Sequence, residues 1–151
     1  MKPAEPLALN HSWPLFERGR RFDLGFLNAP DAAPVEVDDA WLAAHGFGRW
    51  SCDLDSETLR WTTGVFPIFD WQPDRAPERP GILQRYRPES LSAVERLRSY
   101  AIRHRRGFTI DAEIHRPGGS RWIRIIGAPQ CRGERVIALH GLKMDVSAEY
   151  R

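Results

Sequence analysis

The chain has 151 residues and a net charge of +2, with 42% hydrophobic and 28% charged residues, which is one domain's length at ordinary globular composition. That balance excludes the strong basic field of a nucleic-acid or anionic-membrane binder, and no apolar run approaches the ~20 residues of a membrane-spanning helix. Cys52 and Cys131 stand too far apart for a disulfide framework or a zinc-ligand spacing and no signal-peptide stretch opens the chain, so a cytoplasmic, reducing location is expected.

Residues 1–37 are interrupted by Pro3, Pro6, Pro14, Gly19, Gly25 and Pro30, which predicts an irregular or briefly helical stretch. Trp13, Leu15, Phe16, Phe22, Leu24, Phe26 and Leu27 make it too apolar for a solvated tail, so it should pack on something. Asp38 and Asp39 supply acceptors for the free N–H groups of a short helix through Trp41 and Leu42, which Gly46 and Gly48 end. Arg49 to Leu54 alternates polar and apolar as a strand, Asp55-Ser56-Glu57 turns, and Leu59 to Thr63 returns to complete a hairpin. Residues 64–87 are rich in aromatics and proline and read as short helical turns with a surface loop over Pro73 to Pro80.

The clearest helix opens at Pro88-Glu89-Ser90, with Ser90 as the expected cap. Leu91, Val94, Leu97, Ala101 and Ile102 recur along it at helical spacing, and Gly107 is its expected stop. Three strands follow. Phe108, Ile110, Ala112 and Ile114 alternate with Thr109, Asp111, Glu113 and His115, which predicts one buried face and one solvated face. Residues 117–120 turn the chain, Trp122 to Ala128 is the next strand, residues 132–134 turn again, and Val136 to Met144 is the last strand. The element order implies an α+β fold: a five-stranded antiparallel sheet with short helices and one longer helix on one face.

The residues from Gly48 to Leu54, Leu59 to Thr62, Arg87 to Ser90, Gly107-Phe108, Arg121 to Ile123, and Gly141 with Asp145-Val146-Ser147 together resemble, in order and spacing, a bacterial sensory PAS domain with its C-terminal PAC-like motif. The resemblance spans residues 46–147. It leaves 1–45 as an N-terminal extension with a short helix and 148–151 as the start of a linker. It departs from the pattern at Arg87 and Ser90, where the family carries histidine and aspartate, and at Gly118-Gly119, where the family carries Asp-Gly. The resemblance implies a signal-transduction module that senses a small molecule or docks a signalling partner or output domain. It also implies a homodimer, formed through the helix that precedes the first strand. Strand phase turns Trp122, Ile126, His140 and Leu142 to the outer face of the sheet, against which the N-terminal segment is expected to pack in the dimer.

Inner-face phase places Trp50, Cys52, Ile110, Ala112 and Ile114 toward a cavity of such a fold. By analogy the wall continues with Phe69, Ile123, Ile125, Leu139, Gly141 and Lys143. Lys143 matches the position of a pocket glutamine in flavin-binding relatives. Two readings remain for it: a side chain that carries its charge out to water at the strand end, or one that neutralises an anionic ligand. No cofactor is expected. A flavin photo-adduct needs a cysteine in the helical region, where this chain has none. A haem would need His104, which stands among Arg103, Arg105 and Arg106. His115 and His140 could meet across strands, but no set of ligands converges on a metal.

No nucleophile–base pair or paired carboxylates stand out, so no catalytic residue is assigned and the chain is not expected to be an enzyme. Arg96, Arg98, Arg103, Arg105, Arg106, Arg121 and Arg124 are read as an ion-paired face and not a nucleic-acid site, given Glu89, Glu95, Asp111 and Glu113 nearby. The alternative function is a small α+β pocket protein with a catalytic or nucleic-acid-binding role.

Overall fold

The period-two pattern of the C-terminal half produces three long antiparallel strands, and every other element is arranged around them. The structure, a computed structural model, describes residues 9–22 and 38–150. Its strands are β1 (Asn10–Pro14), β2 (Phe47–Asp53), β3 (Leu59–Trp61), β4 (Arg106–Arg116), β5 (Gly119–Arg132) and β6 (Arg135–Asp145). They form one antiparallel sheet in the order β1-β4-β5-β6-β2-β3. Helices α1 (Arg18–Arg21), α2 (Asp39–Ala44), α3 (Arg79–Leu83) and α4 (Pro88–His104) are joined by 3-10 turns at Leu15–Glu17, Phe66–Phe69 and Ser147–Tyr150. No described helix is long and apolar enough to cross a membrane.

The sheet has six strands where the pattern predicts five. The extra one, β1, comes from the proline-broken N-terminal stretch and pairs along β4, from Asn10 opposite Ile110 to Pro14 opposite Arg106. Proline has no N–H to give a ladder, so an edge position is one a strand ending in Pro14 can occupy. Two expected helix signals act differently. Arg87, not Ser90, caps α4, with Pro88 in its first turn, while the Ser90 hydroxyl accepts a 2.8 Å bond from the Glu113 amide and ties the helix to β4. Arg105, left-handed at φ 54°, ends α4. Gly107 serves packing instead: a Cβ there would lie 2.1 Å from the Trp13 ring.

Both faces of the central strands are buried, which corrects the reading of one wet face. The inner core joins Trp50, Val65, Phe69, Ile110, Ala112, Ile114, Ile123, Ile125 and Leu139 under α3 and α4. The outer core gathers Ile126, Ala128, Leu142, Met144 and Val146. It is covered by Trp13, Leu15 and Phe22 from the N-terminal segment and by Tyr150 at the other end. Trp13 is 1% exposed, and its indole N–H donates to the Thr109 hydroxyl at 3.0 Å. Leu24, Phe26 and Leu27, expected from the sequence to pack as well, lie outside the described residues.

Asp111, expected to be solvated, is buried, with 0% of its side chain exposed. It faces Arg124 directly across β4–β5 and accepts from the guanidinium twice, at 2.7 and 2.9 Å. The Tyr150 hydroxyl donates to the same carboxylate, and the Asp111 amide donates to the Leu9 carbonyl at 2.8 Å. One residue of β4 therefore holds both the segment entering the sheet and the segment leaving it. His115 and His140 do not meet: they lie on β4 and β6, with β5 between them.

The outer face can be tested by its stability. Removing one member of a buried charge pair leaves the other uncompensated, so Asp111→Asn should cost about 3 kcal/mol and free Tyr150. Urea unfolding measures the cost, and tyrosine fluorescence reports the released ring. Trp13→Ala should cost about 3–5 kcal/mol in the same experiment, because it empties the centre of the outer core.

Candidate functional site

Strand pleat decides which side chains of β2 and β6 look inward. On β2, Gly48, Trp50 and Cys52 are buried in alternation. On β6, Leu139, Gly141 and Lys143 share one phase, and Leu142 and Met144 point to the outer core. Gly127, on β5 opposite Gly141, permits the rings above it: a Cβ there would lie 2.6 Å from Phe108 and 2.9 Å from Trp50. These two rings floor a cavity of about 70 Å³ between the sheet and the helices.

Five of the residues singled out from sequence line this cavity: Trp50, Cys52, Ile125, Leu139 and Lys143. Phe69 does not line it, but its ring centre lies 4.9 Å from the Lys143 ammonium nitrogen. Ile110, Ala112, Ile114 and Ile123 belong to the same core away from the cavity wall. The wall is completed by Leu59 from β3, Phe108 from β4, Arg79, Ile82, Leu83 and Tyr86 from α3 and the turn after it, and Val94, Glu95 and Arg98 from α4. Of these, Phe108 shares the readable phase of Ile110. The α3 residues had one local signal, Pro80 in the first turn of a short helix, within a segment that otherwise lacks a period.

Lys143 is the unusual member. It does not carry its charge out to water; the residue is 7% exposed. Its Nζ lies 5.2 Å from the Trp50 ring centre and 5.7 Å from that of Trp61. Trp61 stacks on Phe69 at 5.1 Å, so these rings form a continuous aromatic wall. Among the described residues no hydrogen bond or ion pair reaches the Lys143 ammonium. Ring faces favour the cation and burial favours the neutral amine. Burial dominates and pushes the Lys143 amine down to about 7. The indole N–H of Trp61 is likewise buried without an acceptor among the described residues.

The other charges at the cavity already have partners. Arg79 meets Glu95 at 2.5 Å and Glu57 at 3.8 Å, and Arg98 meets Glu57 at 3.6 Å. Burial raises the Cys52 thiol and lifts the Tyr86 phenol well above its ordinary value, so both stay neutral at physiological pH. The ion-paired reading of the arginines holds for three of the seven: Arg98 meets Glu57, Arg121 donates to the Pro67 and Ile68 carbonyls and reaches Asp145 at 3.1 Å, and Arg124 is held by Asp111. Arg96, Arg103, Arg105 and Arg106 make no ion pair among the described residues, and Arg106 instead donates to the Ser12 hydroxyl at 2.7 Å. No group of three His, Cys, Asp or Glu side chains among the described residues could hold a metal ion.

No protein-family model and no curated protein matches the sequence. The structure is similar to several solved ones. An RNA-binding light-oxygen-voltage receptor superposes with a TM-score of 0.63 at 15% identity; the match covers 70% of this chain and 31% of that one, so this chain spans about a third of that receptor. The N-terminal domain of a diguanylate cyclase with a PAS/PAC sensor from Marinobacter aquaeolei gives 0.62 at 18% identity, over 70% of this chain and 99% of that one. A sensory box histidine kinase/response regulator from Burkholderia thailandensis gives 0.61 at 17%, over 72% and 82%. At these identities the likeness is one of architecture, and it establishes that this chain has the PAS fold.

Proposed function

We propose that this protein is a non-enzymatic sensory module whose inner cavity takes up a small organic molecule and whose outer sheet face passes the change on. The observation that carries the reading is Lys143: a buried amine on a cavity wall that no counter-ion reaches among the described residues. Burying an unpaired charge is costly, and an apolar residue would pack the same space without that cost. Lys143 is a donor in need of an acceptor on a wall that is otherwise mostly apolar. A compact molecule with an apolar body and one carboxylate or carbonyl group matches it. A volume of about 70 Å³ corresponds to roughly five waters, which sets the scale at a short aliphatic chain or one ring.

The residues do not fit a flavin. Trp50 and Phe108 occupy the floor where a three-ring system would lie, and the cavity is several times too small. The helical region from Phe66 to His104 holds no cysteine to form an adduct. Haem is disfavoured because His104 is exposed and its ring packs tilted against Tyr100.

For output, Asp111 links the cavity-bearing sheet to both flanking segments, which supports a reader attached to, or docking on, those segments. The homodimer expected from the resemblance would need a surface other than Trp122, Ile126 and Leu142, which their own chain covers. Phe16, 87% exposed on the N-terminal segment, is the ring available for it. Two free cysteines suit a reducing, cytoplasmic setting.

Benzoate and short monocarboxylates should raise Tm. At a hundredfold excess over Kd the gain is about 2.7 kcal/mol, several degrees for a domain of this size. Absence of any shift across the panel, with no co-purifying ligand in native mass spectra, would remove the small-molecule reading.

The amine adds a pH prediction. Below pH 7 both folded and unfolded chains carry the Lys143 proton, and the folded state bears the whole burial cost. Between about 7 and the ordinary 10.5 the unfolded chain binds a proton that the folded chain does not, so stability contributed by this group rises with pH. Lys143→Met should therefore be more stable than the parent at pH 6, by about 5 kcal/mol, and the gap should close toward pH 10. Denaturant melts at the two pH values check it.

A further inference from the structure

Lys143 and Lys2 are the only two lysines of the chain, and the arrangement around Lys143 does more than hold a charge. We propose that Lys143 is a carbonyl-trapping amine, which captures a small, largely apolar aldehyde in the cavity as an imine. This rests on the reading of the cavity as a small-molecule site and names the chemistry at its buried amine.

The geometry argues for it in three ways. The amine is on the cavity wall and not at the surface, so a molecule that enters meets it. No carboxylate among the described residues holds it: the charged and titratable groups that share its cavity are Cys52 from β2, Arg79 from α3, Tyr86, and Glu95 and Arg98 from α4, with Glu57 of the hairpin turn paired to both arginines. Both arginines are bound to those glutamates, and the thiol and phenol are neutral. An ion-paired lysine would be locked as an ammonium, which has no lone pair to give. The walls are also apolar. Trp50 and Phe69 flank the nitrogen, Ile125 stands opposite Lys143 across β5–β6, and Leu139 lines the same cavity further along β6, so a bound imine would be shielded from the water that hydrolyses it. With the amine pushed down to about 7, most of it is unprotonated at pH 7.5.

The reaction balances without a further reagent. The Lys143 nitrogen lone pair adds to the carbonyl carbon while the C=O π pair moves to oxygen. Proton transfer from nitrogen to that oxygen gives the carbinolamine. The oxygen then departs as water with both amine hydrogens, leaving one C=N bond. An amine and an aldehyde become an imine and water, with no change of oxidation state.

The test uses the full chain with butanal or benzaldehyde and sodium cyanoborohydride at pH 7.5, followed by intact mass and peptide mapping. At that pH an amine titrating near 7 has a free-amine fraction hundreds of times that of an ordinary lysine, so reduced adduct should form on Lys143 at least about tenfold faster than on Lys2. Excess benzoate should suppress the Lys143 adduct and leave the Lys2 adduct unchanged. Val94→Phe, which fills the cavity and keeps the lysine, should do the same while retaining a cooperative melt. Modification of Lys143 no faster than Lys2, or modification indifferent to both benzoate and Val94→Phe, overturns the proposal. If benzoate raises Tm but Lys143 forms no adduct, the imine chemistry fails and the small-molecule site stands; if benzoate does neither, both fall.

Discussion

Among the described residues, Asp111 and Lys143 are buried on opposite faces of one sheet, and a counter-ion reaches Asp111 but not Lys143. On the outer face Asp111 is closed by Arg124 and Tyr150; on the inner face Lys143 sits among rings with no carboxylate. The cause is the same in both cases. Segments before and after the PAS-like core cover the outer face, so Thr109, Asp111, Ile126, Leu142 and Met144 leave water whether polar or not. A buried charge must then be paired, neutralised or used. Asp111 is paired and becomes structural. Lys143 is unpaired, and its amine gives up its proton at a pH where ordinary lysines keep theirs.

That division suggests how a sensory fold can separate input from output. On the proposed reading, input chemistry would belong to the inner face, where glycines at 127 and 141 bring β5 and β6 beneath the Trp50 and Phe108 rings and leave a small cavity beside them. Output would belong to the outer face, where the entering and leaving segments meet at a single residue pair of β4 and β5. The strands between the faces are shared: Ile125 and Lys143 lie opposite each other looking inward, and their immediate neighbours Arg124, Ile126, Leu142 and Met144 look outward. A ligand that displaces Lys143 acts on the same β6 backbone that anchors the outer core.

The candidate site is only partly legible from the chain alone. Strand alternation carries the phase of Trp50, Cys52, Ile125 and Leu139, because a pleat has a period of two and one face of each strand is apolar. The helical half of the wall is not legible. Arg79, Ile82 and Tyr86 come from a proline-broken segment, and Val94, Glu95 and Arg98 face the cavity only because α4 packs across β4 at one particular angle. Composition also points the wrong way for Asp111. Its alternation with Ile110 and Ala112 is the pattern of a solvated face, and nothing local reveals that Trp13 and Tyr150, on either side of it in the chain, return to bury that face.

The sequence by itself determined the antiparallel sheet, the long helix, the capped α2 and the resemblance to PAS domains, since periodicity and turn chemistry are local properties. Tertiary structure alone decided the rest. It recruited residues 10–14 as a sixth strand, because an edge of β4 offered unpaired backbone groups that no local pattern announces. It turned Gly107 from a helix stop into the space for an indole, because a missing Cβ matters only when another chain segment arrives. It also made Lys143 a buried amine, because whether a lysine's head reaches water depends on which rings close over it, and those rings come from β2, β3 and the 3-10 turn at Phe66–Phe69.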